Sequence, residues 1–309
     1  MGVDFGVTFP APVDVAASLE LFRRSGDDLL DRWDGRRLLR AVQITGTWVP
    51  FMAMPDGTLA NPTMRVLVES PEHLSEIRQV VERTFVLAPP DYPELLERDV
   101  VLARLDAQFH GIRQIRQLDL FTAFIRCISA QQVNLRWAVT TRRRLAEAFG
   151  QPHAVAGQVV YSLNPERLAS ADPADIRALQ FTTSKSVAIV AVARAMTEEA
   201  LSMNQLQALA DEEVIARLVA IRGIGRWSAE WILARTLGRP RVVAGDLAVR
   251  KAVGLAYLGH SAPSESEVRA VTAHWGQSAG VAQAVLLQAL GEGALSWPTP
   301  PVARAALRQ

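Results

Sequence analysis

The chain is poor in cysteine, lysine and long apolar runs. Of its 309 residues one is cysteine, Cys127. That excludes an intrachain disulfide, a four-cysteine iron–sulfur cluster and a cysteine-built zinc site. The five histidines, at 73, 110, 153, 260 and 274, show no metal-ligand spacing. No run approaches the roughly 18 apolar residues of a membrane-spanning helix. Met1-Gly-Val-Asp-Phe5 lacks the charged and apolar regions of a secretory signal. These absences lead us to expect a reducing, cytoplasmic setting without a membrane partner. Only two lysines occur, Lys185 and Lys251, beside 31 arginines. A mechanism needing a side-chain amine therefore has two candidates.

What is present suffices for one large or two modest domains, since hydrophobic residues make up 49% of the chain. The net charge of +1 hides an uneven division. Residues 1–110 hold 11 Arg against 17 Asp and Glu, a balance of −6; residues 111–309 hold 22 Arg and Lys against 15, a balance of +7. The second part is thus the one suited to face phosphates, although such asymmetry is common and decides nothing alone.

Arg40-Ala-Val-Gln-Ile-Thr-Gly-Thr-Trp48 and Met64-Arg-Val-Leu-Val-Glu69 read as strands, with turns at Pro55-Asp-Gly57 and Asn61-Pro62. Helical patterns flank them at about 14–33 and 71–86. From about 94 onward the pattern predicts helices only. Asp119 is suited to cap the apolar helix of Leu120, Phe121, Phe124, Ile125 and Ile128. Asp172-Pro173-Ala-Asp175 opens another helix, Asp211 a third, and Ser264-Glu-Ser-Glu267 is a capping box. We therefore expect an α+β chain, mostly α. A small N-terminal sheet domain (1–93) precedes a helical domain (94–293) and a surface tail (294–309) containing Trp297.

The most informative stretch is Leu218-Val-Ala-Ile-Arg-Gly-Ile-Gly-Arg-Trp-Ser-Ala229. Two helix-forming runs flank Gly223 and Gly225, and the apolar Leu218, Ile221 and Ile224 can clasp the helices at an angle. Glycines permit a tight bend and close approach of a bulky partner. The exposed N–H groups, placed at a helix start, favour an anion such as phosphate. Nineteen residues beyond Trp227, Gly245-Asp246 precedes the helical Leu247-Ala-Val-Arg-Lys-Ala-Val-Gly254. A backbone-read phosphate and a carboxylate at a helix start together suggest chemistry on nucleic acid.

This hairpin with its following aspartate resembles the helix-hairpin-helix DNA glycosylases with a Gly/Pro-rich loop and aspartate, and within them the 3-methyladenine DNA glycosylase II branch. Phe9-Pro-Ala-Pro-Val-Asp14, Asp119-Leu-Phe121, Ile128-Ser-Ala-Gln-Gln-Val133 and Pro165-Glu-Arg-Leu-Ala-Ser-Ala-Asp-Pro173 follow the same branch in order. The resemblance implies a two-part helical glycosylase core. It also implies base excision repair, in which alkylated purines such as 3-methyladenine and 7-methylguanine are flipped from duplex DNA and hydrolysed off to leave an abasic site. Asp246 is then the catalytic carboxylate, stabilising positive charge on the sugar and orienting water. It also suits ordinary N-capping of its helix, and one side chain can do both.

Relatives that cut the strand carry a lysine where Trp227 stands. The resemblance thus implies a monofunctional enzyme that needs no cofactor and has no iron–sulfur cluster. Trp227 and Trp231 would stack on the flipped, electron-poor base, with Leu21 and Phe22 as a far wall and Leu247 beside the aspartate; two tryptophans at this spacing also suit core packing. Gln132, with Gln131, would fill the gap left by the base, or the pair would simply end a helix with solvated amides. Gly223, Ile224, Gly225, Arg226, Ser228, Arg250 and Lys251 would meet the DNA backbone. The carbonyls of Val219, Ile221 and Ile224 would hold a monovalent cation, Na⁺ or K⁺. Arg142-Arg-Arg144 suits either a solvated face or the DNA backbone, and Cys127 suits a core position.

Two departures stand out. Leu247 replaces a frequent tyrosine, and Gly276-Gln-Ser278 stands where a pocket tryptophan is expected after Trp275. Both bear on lesion range. A bacterial, nucleoid-associated monomer is the expected form. The competing readings are a non-catalytic helix-hairpin-helix DNA-binding module, which needs neither Asp246 nor the tryptophans, and a bifunctional glycosylase/lyase on oxidised bases, which needs a lysine near the hairpin.

Overall fold

Residues 2–198 and 201–295 are described in the computed structural model; of the expected tail, residues 296–309 lie outside them. A five-stranded antiparallel sheet comes first, built from β1 (Val3–Thr8), β2 (Asp31–Trp33), β3 (Leu38–Ile44), β4 (Thr47–Thr58) and β5 (Asn61–Val68), in the order β1-β5-β4-β3-β2. α1 (Val15–Arg23) and α2 (Leu74–Glu82) accompany it. Alternation along β5 buries Met64, Val66 and Val68 against Leu19, Phe51 and Ile77.

Three local expectations fail here. The run 40–48 is two strands, because Thr45 and Gly46 (φ +45° and +85°) make a two-residue hairpin turn that pairs Ile44 with Thr47. Pro55-Asp-Gly57 lies inside β4, and the chain turns after Thr58 instead. The helix expected over 14–33 stops at Arg23, since Gly26 (φ +113°) reverses the chain and leads into β2.

Helices dominate the remainder. α3 (Tyr92–Arg98) and α4 (Val100–Gln108) come first, set between two short paired strands, β6 (Phe85–Val86) and β7 (Gln114–Ile115). α5 (Leu120–Ala130) begins at the predicted cap, Asp119, and α6 (Leu135–Phe149) follows. The reading of 94 onward as purely helical is corrected again by β8 (Gln151–Val155) and β9 (Gln158–Ser162). They turn at Ala156-Gly157 (φ +51° and +70°) and pack Val155 and Val160 onto Leu39 and Met52 of the sheet. Next come α7 (Pro165–Ala169), α8 (Pro173–Ala178), α9 (Thr183–Thr197), α10 (Met203–Ala208), α11 (Asp211–Val219), α12 (Arg226–Ile232), α13 (Leu247–Val253), α14 (Glu265–Thr272) and α15 (Ala279–Gly291).

The helices form two cores. One centres on α5, where Phe121, Phe124, Ile125, Cys127 and Ile128 are buried among α6, α9, α11 and α12. Each such side chain contributes about 1.5–3 kcal/mol by leaving water. The other joins α3 and α4 to α13, α14 and α15 around Leu102, Leu105, Trp275 and Val285. Chain order thus differs from packing order: α3 and α4 precede α5 yet pack against the C-terminal helices. Among the described residues no helix is long and apolar enough to cross a membrane.

The sheet and the α5 core are tied by buried charge. Asp28 accepts from Arg126 (2.8 Å) and Arg142 (2.8 Å), and Asp31 accepts from Arg126 (2.6 Å) and Arg40. Burial raises the Asp28 carboxyl, but the two guanidiniums outweigh it and hold the pKa down at about 2. Arg142 is therefore neither solvated nor free for DNA. Of its run, Arg143 pairs with Glu147, and Arg144 bonds Gln180 while lying over Trp137.

Candidate active site and hairpin

α11 and α12 enclose the glycine turn. Leu218 and Ile224 are buried and clasp the two helices. Gly223 has φ +88°, and a Cβ there would fall 2.4 Å from Ala188 Cβ on α9, so the turn presses directly on that helix. Gly225 is extended (φ −99°) and a Cβ would meet nothing. The two glycines thus serve different ends: one permits the fold, the other leaves open space in front of a helix start. The first intrahelical N–H is that of Ala229, donating to Gly225, so the preceding amides stand at the free end. Ile221's carbonyl accepts from Ile224 N–H at 3.0 Å, which leaves one lone pair for any cation. Among the described residues no group of three or more His, Cys, Asp or Glu could hold a metal ion.

Asp246 caps α13. Its Oδ1 accepts from the amides of Ala248 (2.9 Å) and Val249 (3.1 Å), while Oδ2 accepts from the Trp227 indole N–H at 3.3 Å. The capping and cleft-facing roles fall on different oxygens. Both residues line a cleft of about 690 Å³ between the two helical cores. Its other walls are Ala130–Leu135 after α5, the start of α9 at Thr182, Ser184 and Lys185, and Leu247 on α13, which is 77% exposed.

The two glutamines part company. Gln131 donates its amide to the carbonyl of Gly223 at 3.1 Å, strapping the α5 loop to the hairpin. Gln132 is exposed with φ +54°, a conformation uncommon outside glycine, and it lines the cleft. Of the pair, only Gln132 is free to project.

The expected base pocket is not assembled in one place. Trp227 and Leu247 line the Asp246 cleft; Trp231, Leu21 and Phe22 do not. Trp231 lies one turn further along α12, packed on the α5 core under the Arg235 guanidinium, 5.5 Å from the ring centroid. Phe22 turns toward the sheet, with Arg40 and Arg126 at 5.7 and 5.6 Å from its ring. Leu21 lines a separate pocket. Trp275 is buried and donates to Asp99 (3.3 Å), followed by Gly276 at φ +48°.

Among the expected backbone contacts, Ser228 is corrected. Its hydroxyl is buried without a hydrogen-bond partner, so only its amide could meet a phosphate. Arg226 is engaged with Glu230 (3.1 Å) and Glu212. Glu230 is buried and also receives Arg241 and Arg269. Arg250 donates to the Pro263 carbonyl at 2.6 Å, and Lys251 is exposed.

Sequence reading named Lys185 as one of two amines but gave it no place at the site, and it missed Leu135. Lys185 is buried at the cleft wall, where its Nζ donates to the Ser129 carbonyl at 2.9 Å and burial lowers its pKa. Leu135, 60% exposed at the first position of α6, lines the same cleft. An apolar residue at a helix start gives no sign of whether it will be covered.

Residues 125–277 match the family of HhH-GPD superfamily base excision DNA repair proteins. A DNA-3-methyladenine glycosylase of Bacillus subtilis is 29% identical over 184 residues, 59% of this chain and 61% of that protein. DNA-3-methyladenine glycosylase 2 of Escherichia coli is 30% identical over 134 residues, 43% of this chain and 47% of its own length. In these two comparisons the matched segments span between 47% and 61% of the relatives. The solved 3-methyladenine DNA-glycosylase from Archaeoglobus fulgidus shares the fold with a TM-score of 0.79 at 22% identity, covering 92% of this chain and 96% of that one.

Proposed function

Through residues 125–277 the chain belongs to the HhH-GPD superfamily of base excision DNA repair proteins, and from that premise we propose that it is a monofunctional DNA glycosylase. It flips a damaged purine from duplex DNA and hydrolyses its N-glycosidic bond, leaving an abasic site. Alkylated purines are the substrate class that the relatives' names support. The observation that carries the reading is the Asp246 carboxylate. One oxygen is fixed by the α13 amides and the other faces Trp227 in a cleft roomy enough for a nucleoside.

Each step uses this chain's own groups. The amides ahead of α12 and the open space at Gly225 receive a phosphate. Gln132 enters the gap left by the extruded base, positioned by the Gln131 strap. As the base departs, positive charge grows on the sugar, and a fixed anion beside it is stronger than bulk water because it needs no reorganisation. The base leaves with the electron pair of the glycosidic bond, and a water oriented by the Asp246 carboxylate adds to the anomeric carbon, its proton passing to that carboxylate and on to solvent. A monovalent cation on the carbonyls of Val219, Ile221 and Ile224 would supply further positive charge near the phosphate; no step depends on it.

The glycine geometry gives a clean probe. Gly223→Ala should destabilise the protein, since the new methyl meets Ala188 and φ is positive. Gly225→Val should leave the melting temperature near wild type yet weaken binding to damaged and undamaged duplexes alike. Unchanged affinity in Gly225→Val would remove the hairpin from the DNA interface.

A second reading is favoured by one observation, the Lys185 amine at the cleft wall with its pKa lowered. If that amine attacked the anomeric carbon, the base would leave with the electron pair of its glycosidic bond, the amine would lose a proton and the sugar ring would open to an imine, which borohydride would reduce to a covalent adduct. We expect none, because the amine is turned onto the Ser129 carbonyl. We further expect strand breaks only after alkali. A borohydride adduct absent from Lys185→Met would establish the lyase reading instead.

A further inference from the structure

The start of α9 touches both loops that the proposed chemistry uses. Lys185, its third residue, donates from Nζ to the carbonyl of Ser129 in the last turn of α5, at 2.9 Å. Ala188, three residues on and so on the same helical face, is the residue on which the Gly223 turn presses. Gln131 closes the triangle by donating from the α5 loop to the Gly223 carbonyl. The end of α5 and the glycine turn are each referred to one face of α9, and to each other.

Lys185 does little for its own helix there. A cation in the first turn opposes the helix dipole, and burial adds a desolvation cost that lowers the ammonium pKa. What it serves is the end of α5. The Gln131 N–H reaches back to Ile128 at 3.4 Å, and among the described residues no later backbone amide of that loop returns to the helix. Side chains finish it instead: Lys185 takes the Ser129 carbonyl, and Arg142 takes the Ser129 hydroxyl at 2.9 Å. A non-glycine residue keeps a positive φ only where its surroundings fix it. The residue so fixed is Gln132, at φ +54°, the one assigned to the gap left by the base.

We propose that Lys185 is a positioning residue for base extrusion. Its ammonium anchors the end of α5, so that a phosphate held at the hairpin and the Gln132 side chain keep one fixed spacing. This rests on the glycosylase reading and gives the amine at the cleft wall a task other than attack on the sugar. Without the anchor Gln132 drifts from the gap, and extrusion of a paired base becomes harder. The Asp246 chemistry on a base already outside the stack is unchanged.

Single-turnover excision of 7-methylguanine provides the test, with the lesion either paired with cytosine or unpaired in a bulge of the same duplex. An unpaired base costs less to extrude. The ratio of paired to unpaired rates, taken within one preparation, cancels any loss of folded enzyme. Lys185→Met should lower that ratio about tenfold or more, since misplacing a positioned group by about 1 Å costs up to about a hundredfold. Lys185→Arg keeps a charged donor and should hold the ratio within about threefold of wild type. Gln131→Ala cuts another side of the same triangle and should lower the ratio too, and the double variant should lose less than the product of the two losses. A ratio unchanged in Lys185→Met, or losses that multiply in the double variant, would overturn the assignment while leaving the glycosylase reading intact. A wild type that frees no base from either substrate would instead overturn that reading.

Discussion

Asp246→Asn is expected to lower single-turnover excision by about 10²- to 10³-fold, the cost of removing one preorganised charge from a reacting centre. The fold should scarcely notice. Asparagine caps a helix as well as aspartate does, so its oxygen can keep the bonds to Ala248 and Val249. What is lost is the bond from Trp227, whose N–H would face an NH₂, a change of about 1 kcal/mol. Asp246→Ala removes the cap as well and should cost about 1 kcal/mol more. Comparing the two variants separates the two oxygens' roles. Equal excision in Asp246→Asn and wild type would leave the residue as a helix cap alone.

Asp28→Asn should produce the largest loss of stability, about 3–5 kcal/mol, because it leaves the buried Arg142 guanidinium without a carboxylate and Arg126 with Asp31 alone. Asp28 is 3% exposed and binds Arg126, Arg142 and the Leu30 amide. The pair also reaches the cleft: Arg142 holds the Ser129 hydroxyl, and the Ser129 carbonyl receives Lys185, two residues before Gln131. Denaturant unfolding at neutral pH reads the loss, and a change below about 1 kcal/mol would contradict it. Acid provides the second readout. The folded pKa of Asp28 lies below its ordinary 3.8, at about 2. Its stabilisation is therefore complete above about pH 4 and is lost as pH falls through that interval. The variant should lack this part of the acid dependence.

The parts legible in the sequence are those written in consecutive residues. The caps at Asp119, Asp172 and Ser264 form as expected, because a side chain two or three residues from its amide needs no distant partner. The hairpin glycines and the Asp246 helix start belong to the same kind. The β8–β9 hairpin was missed although Val159 and Val160 follow Gly157, since five-residue strands look like helix edges until a sheet covers them. Trp231 and Phe22, assigned to the pocket by resemblance, lie outside the lining of the Asp246 cleft: Arg235, one turn further on, lies over Trp231, and Arg40 and Arg126, distant in sequence, lie over Phe22. Arg142 shows the converse. A triple arginine reads as a solvated face, and only Asp28, 114 residues away, brings it inside. The division of the helices into two cores with the cleft between them was likewise not visible, because α3 and α4 cross to the C-terminal half.

The central claim is that Asp246 performs bond hydrolysis rather than binding. The measurement that tests it most directly is release of free base from a duplex carrying one damaged purine, followed beside affinity for that duplex, in wild type and Asp246→Asn. Base released by the wild type, with release lost in the variant and affinity held within about threefold, is the predicted result. Tight binding by both proteins without release of any base from either would contradict the account and leave a DNA-binding module in its place.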